Sequence, residues 1–89
     1  MEIKPTNVKA ITPYTIWVRF SDNTEGSIDL SHLATKPVFK KWTNPAFFSN
    51  VYIDSETDAI AWDSEIELCP DSLYMKIRGL SFEQFKDLN

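Results

Sequence analysis

From Thr15 to Phe20 the chain reads TIWVRF, with Ile16, Val18 and Phe20 alternating with Trp17 and Arg19. A period of two sends successive side chains to opposite faces of an extended strand, so a half-buried strand with one wet face is expected here. Val8 and Ala10 alternate with polar neighbours in the same way just upstream, and the two strands are expected to join at Thr12, Pro13 and Tyr14. Pro13 has no N–H to give a ladder and therefore suits a turn or an edge. The run SDNTEG is dense in turn formers, and GSIDL reads as a third strand with Ile28 and Leu30 facing one way.

The segment SHLATKPVFKKWTNPAFFSN changes character. Pro37 and Pro45 fit the first turns of helices, and Asn44 is a good N-cap for a short turn carrying Phe47 and Phe48. Val38, Phe39 and Trp42 recur at helical spacing, so two short helical pieces are expected, with their aromatics packed on the sheet. VYIDSETDAIAWD returns to strand around a turn at Ser55 to Asp58. Val51 and Ile53 oppose Tyr52 and Asp54, and Ile60 and Trp62 alternate with Ala59 and Ala61. EIEL gives a last short strand, with Ile66 and Leu68 inward and Glu65 and Glu67 outward.

The run ELCPDSLY, which holds the only cysteine, reads as a strand-to-helix junction. With Cys69 at the N-cap, Pro70 falls at N1, where its fixed φ suits a helix and its missing N–H costs nothing. Asp71 then complements the helix dipole, and Leu68 and Leu73 have the spacing of a hydrophobic staple. Leu73, Ile77 and Leu80 form the expected buried stripe, flanked by Tyr74, and Gly79 is placed to end the helix. Ser81 and Gln84 have capping-box spacing for a final helix with Phe82, Phe85 and Leu88 on its apolar side. The expected fold is one α+β domain over residues 1–89: an antiparallel sheet of five or six strands, short inserted helical segments and two C-terminal helices.

At 89 residues a single core is expected. The net charge of −4 disfavours grip on phosphates by charge neutralisation, so nucleic-acid binding through this domain alone is not expected. One cysteine makes no internal disulfide, and no signal peptide precedes the first strand pattern, so a reducing cytoplasmic setting is expected. Apolar runs are too short for a membrane span.

Catalysis finds little support. A thiol at a helix N-terminus can be activated, but a nucleophile needs a base and His32 is the only histidine. The alternative, that Cys69 fills a small buried site beneath Pro70, is favoured. Asp58, Asp63, Glu65, Glu67 and Asp71 lack calcium-loop spacing and read as a solvated face. One Cys and one His cannot supply a structural zinc set, and the two glycines, Gly26 and Gly79, are accounted for by a turn and a cap rather than a phosphate loop. No cofactor is expected. What remains is a surface: Trp17, Arg19 and Tyr52 alternate away from the core residues, and aromatics with Arg are common in protein interfaces. Either that face is open for binding, or the middle aromatic segment covers it and Trp17 is core. In the second case binding is expected on the acidic edge near Glu65 and Glu67.

AIAWDSEIELCPDSLY resembles the signature of a small bacterial family, domain of unknown function 2442, through Trp62, Asp63, Ile66, Leu68, Cys69, Pro70, Asp71, Leu73 and Tyr74. VKAITPYTIWVRFSDNTEGSIDLS is similar to the family's lead strands, with Asp29 and Leu30 as its aspartate-leucine pair, and the order of KPVFKKW and FFSNVYID agrees. The resemblance implies a small α+β domain without an established activity. It also implies a neighbouring gene from a second uncharacterised family, domain of unknown function 4160, in an arrangement like a toxin–antitoxin pair. Some members carry an added helix-turn-helix domain; this sequence ends at Asn89 without one, which weighs against DNA binding. The leading expectation is a non-enzymatic protein-binding module, the neutralising or regulatory half of such a pair, with a protein partner or a second copy of itself. The alternatives are a DNA-associated regulator acting through oligomerisation or a partner, and thirdly a small enzyme using Cys69.

Overall fold

A computed structural model of the chain describes residues 3–11 and 13–88; Thr12, expected in the first turn, and Asn89 lie outside them. Three strands open the fold: β1 (Pro5–Ile11), β2 (Thr15–Phe20) and β3 (Glu25–Asp29). They form an antiparallel sheet in the order β1-β2-β3, with Val8 opposite Val18 and Ile16 opposite Ile28. The register places Val8, Ala10, Ile16, Val18, Phe20 and Ile28 on one face, and that face is the core. The β2–β3 turn is closed by Phe20 N–H donating to Thr24 O (2.8 Å), with Asn23 at φ 71, a left-handed conformation Asn tolerates.

Short helical pieces follow. These are α1 (Ser31–Ala34), a 3-10 helix over Pro37–Thr43, and α2 (Pro45–Ser49). Asn44 caps α2 as its sequence position predicts, its Oδ1 accepting from Ala46 N–H at 2.9 Å. Then come β4 (Tyr52–Ile53), β5 (Ile60–Ala61) and β6 (Glu67–Leu68), each only two residues long.

These short strands correct the expectation of a single sheet. They pair only with one another, in the order β4-β5-β6, so the domain is α+β with two separate three-stranded antiparallel sheets. β4 lies against β1, but no ladder joins them. The physical reason is that alternation fixes which side chains share a face and says nothing about which strand supplies the hydrogen bonds.

Burial departs from expectation in the second sheet too. Ala59, Ile60, Ala61 and Trp62 are all buried, so β5 has no wet face. The middle aromatics close over it. Trp42 lies 4.7 Å from Trp62 and 5.5 Å from Phe48 between ring centroids, and Phe39 stacks on Trp42 at 4.4 Å.

The helices α3 (Pro70–Arg78) and α4 (Phe82–Lys86) complete the domain. Gly79 ends α3 in the left-handed region at φ 66, and Leu80 N–H donates back to Met75 O (2.9 Å). The capping box on α4 is formed in both directions: Gln84 N–H to Ser81 Oγ, and Ser81 N–H to Gln84 Oε1. Along α3 the deepest residues are Leu73 and Tyr74, with Ile77 half-buried; Leu80, expected in the same stripe, lies beyond the Gly79 stop and is also half-buried. On α4 only Phe85 reaches the core, and Phe82 stays 64% exposed. Gly26 is not a turn glycine. It sits within β3, and a Cβ there would meet Ile77 Cγ2 at 3.0 Å, so the missing side chain lets α3 approach the sheet.

Candidate interaction surface

The outward face of the first sheet is built from the residues that alternate with the core. Cross-strand partners place Lys9, Trp17 and Ser27 in one row and Asn7, Arg19 and Glu25 in the next. All of these are exposed except Trp17, which is half-buried and lies outside the hydrophobic core cluster. The middle aromatic segment therefore does not cover this face, and the reading of Trp17 as core is overturned. Arg19 is held in place: its Nη2 donates to Asn23 Oδ1 (3.1 Å), and its Nε lies 3.8 Å from Glu25 Oε2. An Arg restrained beside an aromatic ring offers a planar donor with less rotamer entropy left to lose.

Tyr52 does not join them on one sheet. It lies on β4, 44% exposed, and the register aligns Tyr52, Ala61 and Glu67 across the second sheet. Tyr52 and Glu67 thus share a face, two strand spacings or about 10 Å apart. Glu65 is exposed in the loop before β6. The expected single face is split because its members belong to different ladders.

The residues of the closing motif have structural work. Trp62 Nε1–H donates to the buried Phe48 carbonyl at 2.8 Å, tying β5 to α2. Asp63 Oδ1 accepts from the N–H groups of Glu65 and Ile66, both at 2.8 Å, while its Oδ2 meets Lys41 Nζ at 3.1 Å. The Glu65 N–H and then Lys41 hold the Asp63 carboxyl below its ordinary range, against a smaller opposing effect of burial. Tyr74 O–H donates to Asp22 Oδ2 (2.6 Å) and accepts from Arg78 Nη1 (2.7 Å), which joins α3 to the β2–β3 turn. Burial works to raise the Asp22 carboxyl, yet the Tyr74 hydroxyl, the Thr24 N–H and Arg78 together bring it below the usual value. Pro70 opens α3 and Asp71 lies in its first turn.

Cys69 departs from expectation. It stands at the N-cap of α3 in extended conformation, but its thiol is exposed and caps no backbone N–H. The expected burial of Cys69 beneath Pro70 is therefore overturned, and the buried residues at the start of α3 are Leu73 and Tyr74. His32 is not its neighbour: the imidazole lies 3.5 Å from Lys76 Nζ. Lys76 is seven residues further along α3, about 10 Å down the helix axis. Among the described residues no group of three His, Cys, Asp or Glu is arranged to hold a metal ion, and no helix is long and apolar enough to cross a membrane.

The family model for "Protein of unknown function (DUF2442)" matches residues 5–79, from the start of β1 to the glycine that ends α3. The chain belongs to this family. No curated protein and no solved structure matches it. The match covers both sheets and the closing motif whose Trp62, Asp63 and Tyr74 hold the domain together, and it carries no assigned activity.

The sequence reading missed one feature. Lys40 and Lys41 on the 3-10 helix and Lys36 at its N-cap gather with Val38, which is 59% exposed. The signal was present in the run KPVFKK, where three lysines fall within six residues.

Proposed function

We propose that this protein is a protein-binding module of the bacterial cytoplasm, the neutralising or regulatory half of a two-gene pair. Its partner is the product of the neighbouring gene, bound through the outward face of the first sheet around Trp17 and Arg19. The observation that carries this reading is a half-buried Trp outside the core, in the middle strand of an open sheet face, beside a restrained Arg. Trp and Arg are the residues most enriched among interface anchors. Tyr52, Glu65 and Glu67, exposed on β4, in the loop before β6 and on β6, act as a second, weaker contact. The exposed Cys69 and the placement of His32 give a nucleophilic mechanism no support, and the acidic balance favours a protein over a nucleic acid.

The test is Trp17→Ala, with Tyr52→Ala as companion, after circular dichroism has shown both folded. Coexpression with the neighbouring gene product and calorimetry should give a loss of roughly thirtyfold for Trp17→Ala, the effect of about 2 kcal/mol at an anchor. A folded variant that binds as tightly as the wild type removes this face from consideration. Failure of the wild-type pair to copurify removes the gene-pair reading.

A further inference from the structure

On the far side of the 3-10 helix from Trp42 lies a shallow groove of about 580 Å³, lined by Pro37, Val38, Lys40, Lys41, Asn44 and Phe47, with Thr43 at its margin. Its chemistry is unlike the rest of the chain. Three of the nine Lys and Arg residues are exposed here, Lys40 and Lys41 on the 3-10 helix and Lys36 at its N-cap, whereas the chain as a whole is acidic. Among the described residues no carboxylate lines the groove. Its polar side chains are already spent on the backbone: Thr43 Oγ1 donates to Lys40 O (2.9 Å), and Asn44 Oδ1 caps α2. The free chemistry is therefore an apolar floor of Val38 and Phe47 and a rim of ammonium groups. Lys41 is already positioned, 5.9 Å over the Phe47 ring and 3.1 Å from Asp63. Pro37 and Pro45 fix φ at the start of both flanking helical pieces, so the walls need little ordering on binding.

We infer that this groove docks an acidic peptide segment of a protein partner, with one apolar side chain on Val38 and Phe47 and carboxylates against Lys40 in the lining and Lys36, the chain neighbour of the lining residue Pro37. The charge complement decides between occupants. A second copy would have to offer its own acidic edge at Glu65 and Glu67, where the exposed large apolar residue is Tyr52, about 10 Å across the sheet from Glu67 and a phenol rather than an aliphatic side chain. A nucleic acid would meet the same ammonium groups, but its continuous run of phosphates faces the net charge of −4 over a greater length than a short peptide does, and it brings no aliphatic side chain for Val38. This surface is independent of the Trp17 face.

The probe is a short fluorescein-labelled peptide of Asp and Glu around one central Leu, followed by anisotropy with the intact protein. Saturable binding is expected to weaken as salt rises, because exposed charges are screened within about 10 Å at 0.1 M. Lys40→Glu and Val38→Ser, both at exposed positions, should stay folded and each lose on the order of tenfold in affinity, or about 1.4 kcal/mol. A Lys-for-acid peptide and a peptide lacking the Leu should bind correspondingly less well. Equal binding by the variants, or no saturation up to about 1 mM, overturns the inference. So does an oligothymidylate that binds as tightly as the peptide, or a dimer in ultracentrifugation that Lys40→Glu dissociates without any peptide binding.

Discussion

The two sheets of this domain have the same number of strands and opposite ways of staying together. The first has strands of five to seven residues, a long ladder interrupted only by a register shift between Pro5 and Asn7, and a clean division into an apolar and a wet face. The second has two-residue strands, a central strand buried on both sides, and aspartates that do what the ladder does not. Asp54 Oδ1 takes the Glu56 N–H at 2.8 Å in one turn, and Asp63 takes two N–H groups in the next. Indole and phenyl rings from the inserted segment then pack over β5. Backbone pairing organises one half, and side chains organise the other. A two-residue strand leaves too few ladder bonds to fix its own register, so the turn aspartates and the Trp62 bond must supply it.

The largest expected effect tests the first half. Val18 is fully buried on β2 and Arg19 beside it is exposed. Val18→Asp should abolish folding, because an unpaired buried charge costs about 3–5 kcal/mol and a domain of this size has about that much in total. Arg19→Asp should leave a cooperative melt, lowered only by loss of the Asn23 and Glu25 contacts. Circular dichroism and thermal melting would show this directly. The reverse ranking would mean that the register of β2 is shifted by one residue.

The same division explains what the sequence disclosed. Strands β1 to β3, the Asn44 cap, the Cys69–Pro70 junction, the Gly79 stop and the Ser81–Gln84 box were all readable, because each rests on local spacing or on one residue's backbone preference. The separation into two sheets was not readable. β4 and β1 are adjacent in space but far apart in the chain, and whether they exchange hydrogen bonds depends on packing that alternation does not encode. Gly26 was misread for a related reason: its demand comes from Ile77, distant in sequence. Of the candidate site, the outward placement of Trp17, Arg19, Tyr52, Glu65 and Glu67 was legible from parity. Their division between the first sheet and the second was not, and neither was the exposure of Cys69.

A middle-sized effect separates two tryptophans in the second half. Both Trp62 and Trp42 are buried in the aromatic cluster, but Trp62 Nε1–H reaches Phe48 O, whereas Trp42 Nε1–H has no hydrogen-bond partner among the described residues. Trp62→Phe should cost about 1–3 kcal/mol beyond the lost ring area, because the Phe48 carbonyl is left buried and unpaired. Trp42→Phe removes an unpaired donor along with its ring area, so it should cost clearly less. Urea midpoints for the two variants make the comparison. Equal losses would mean that ring volume alone holds this sheet and that the bond to α2 is incidental.

The smallest effect concerns the turn between β5 and β6, and it carries a pH signature. The Asp63 carboxyl is held below its ordinary value of 3.8, first by the Glu65 N–H and then by Lys41. A carboxyl depressed in the folded state binds its proton more readily when the chain is unfolded. Its contribution is therefore complete above the unfolded value and is lost as pH falls through the lower folded value. Asp63→Asn keeps an oxygen for the two N–H groups but removes the charge that favours them and pairs with Lys41. The variant should melt below the wild type near neutral pH, and the two curves should converge in acid as the wild-type carboxylate is neutralised. The convergence isolates Asp63 from Asp22, whose lowered carboxyl titrates in both proteins alike. A gap that stays constant through acid would mean that Asn fails on geometry rather than charge. No gap at any pH would mean that the aromatic cluster, not the turn aspartate, sets the register of the second sheet.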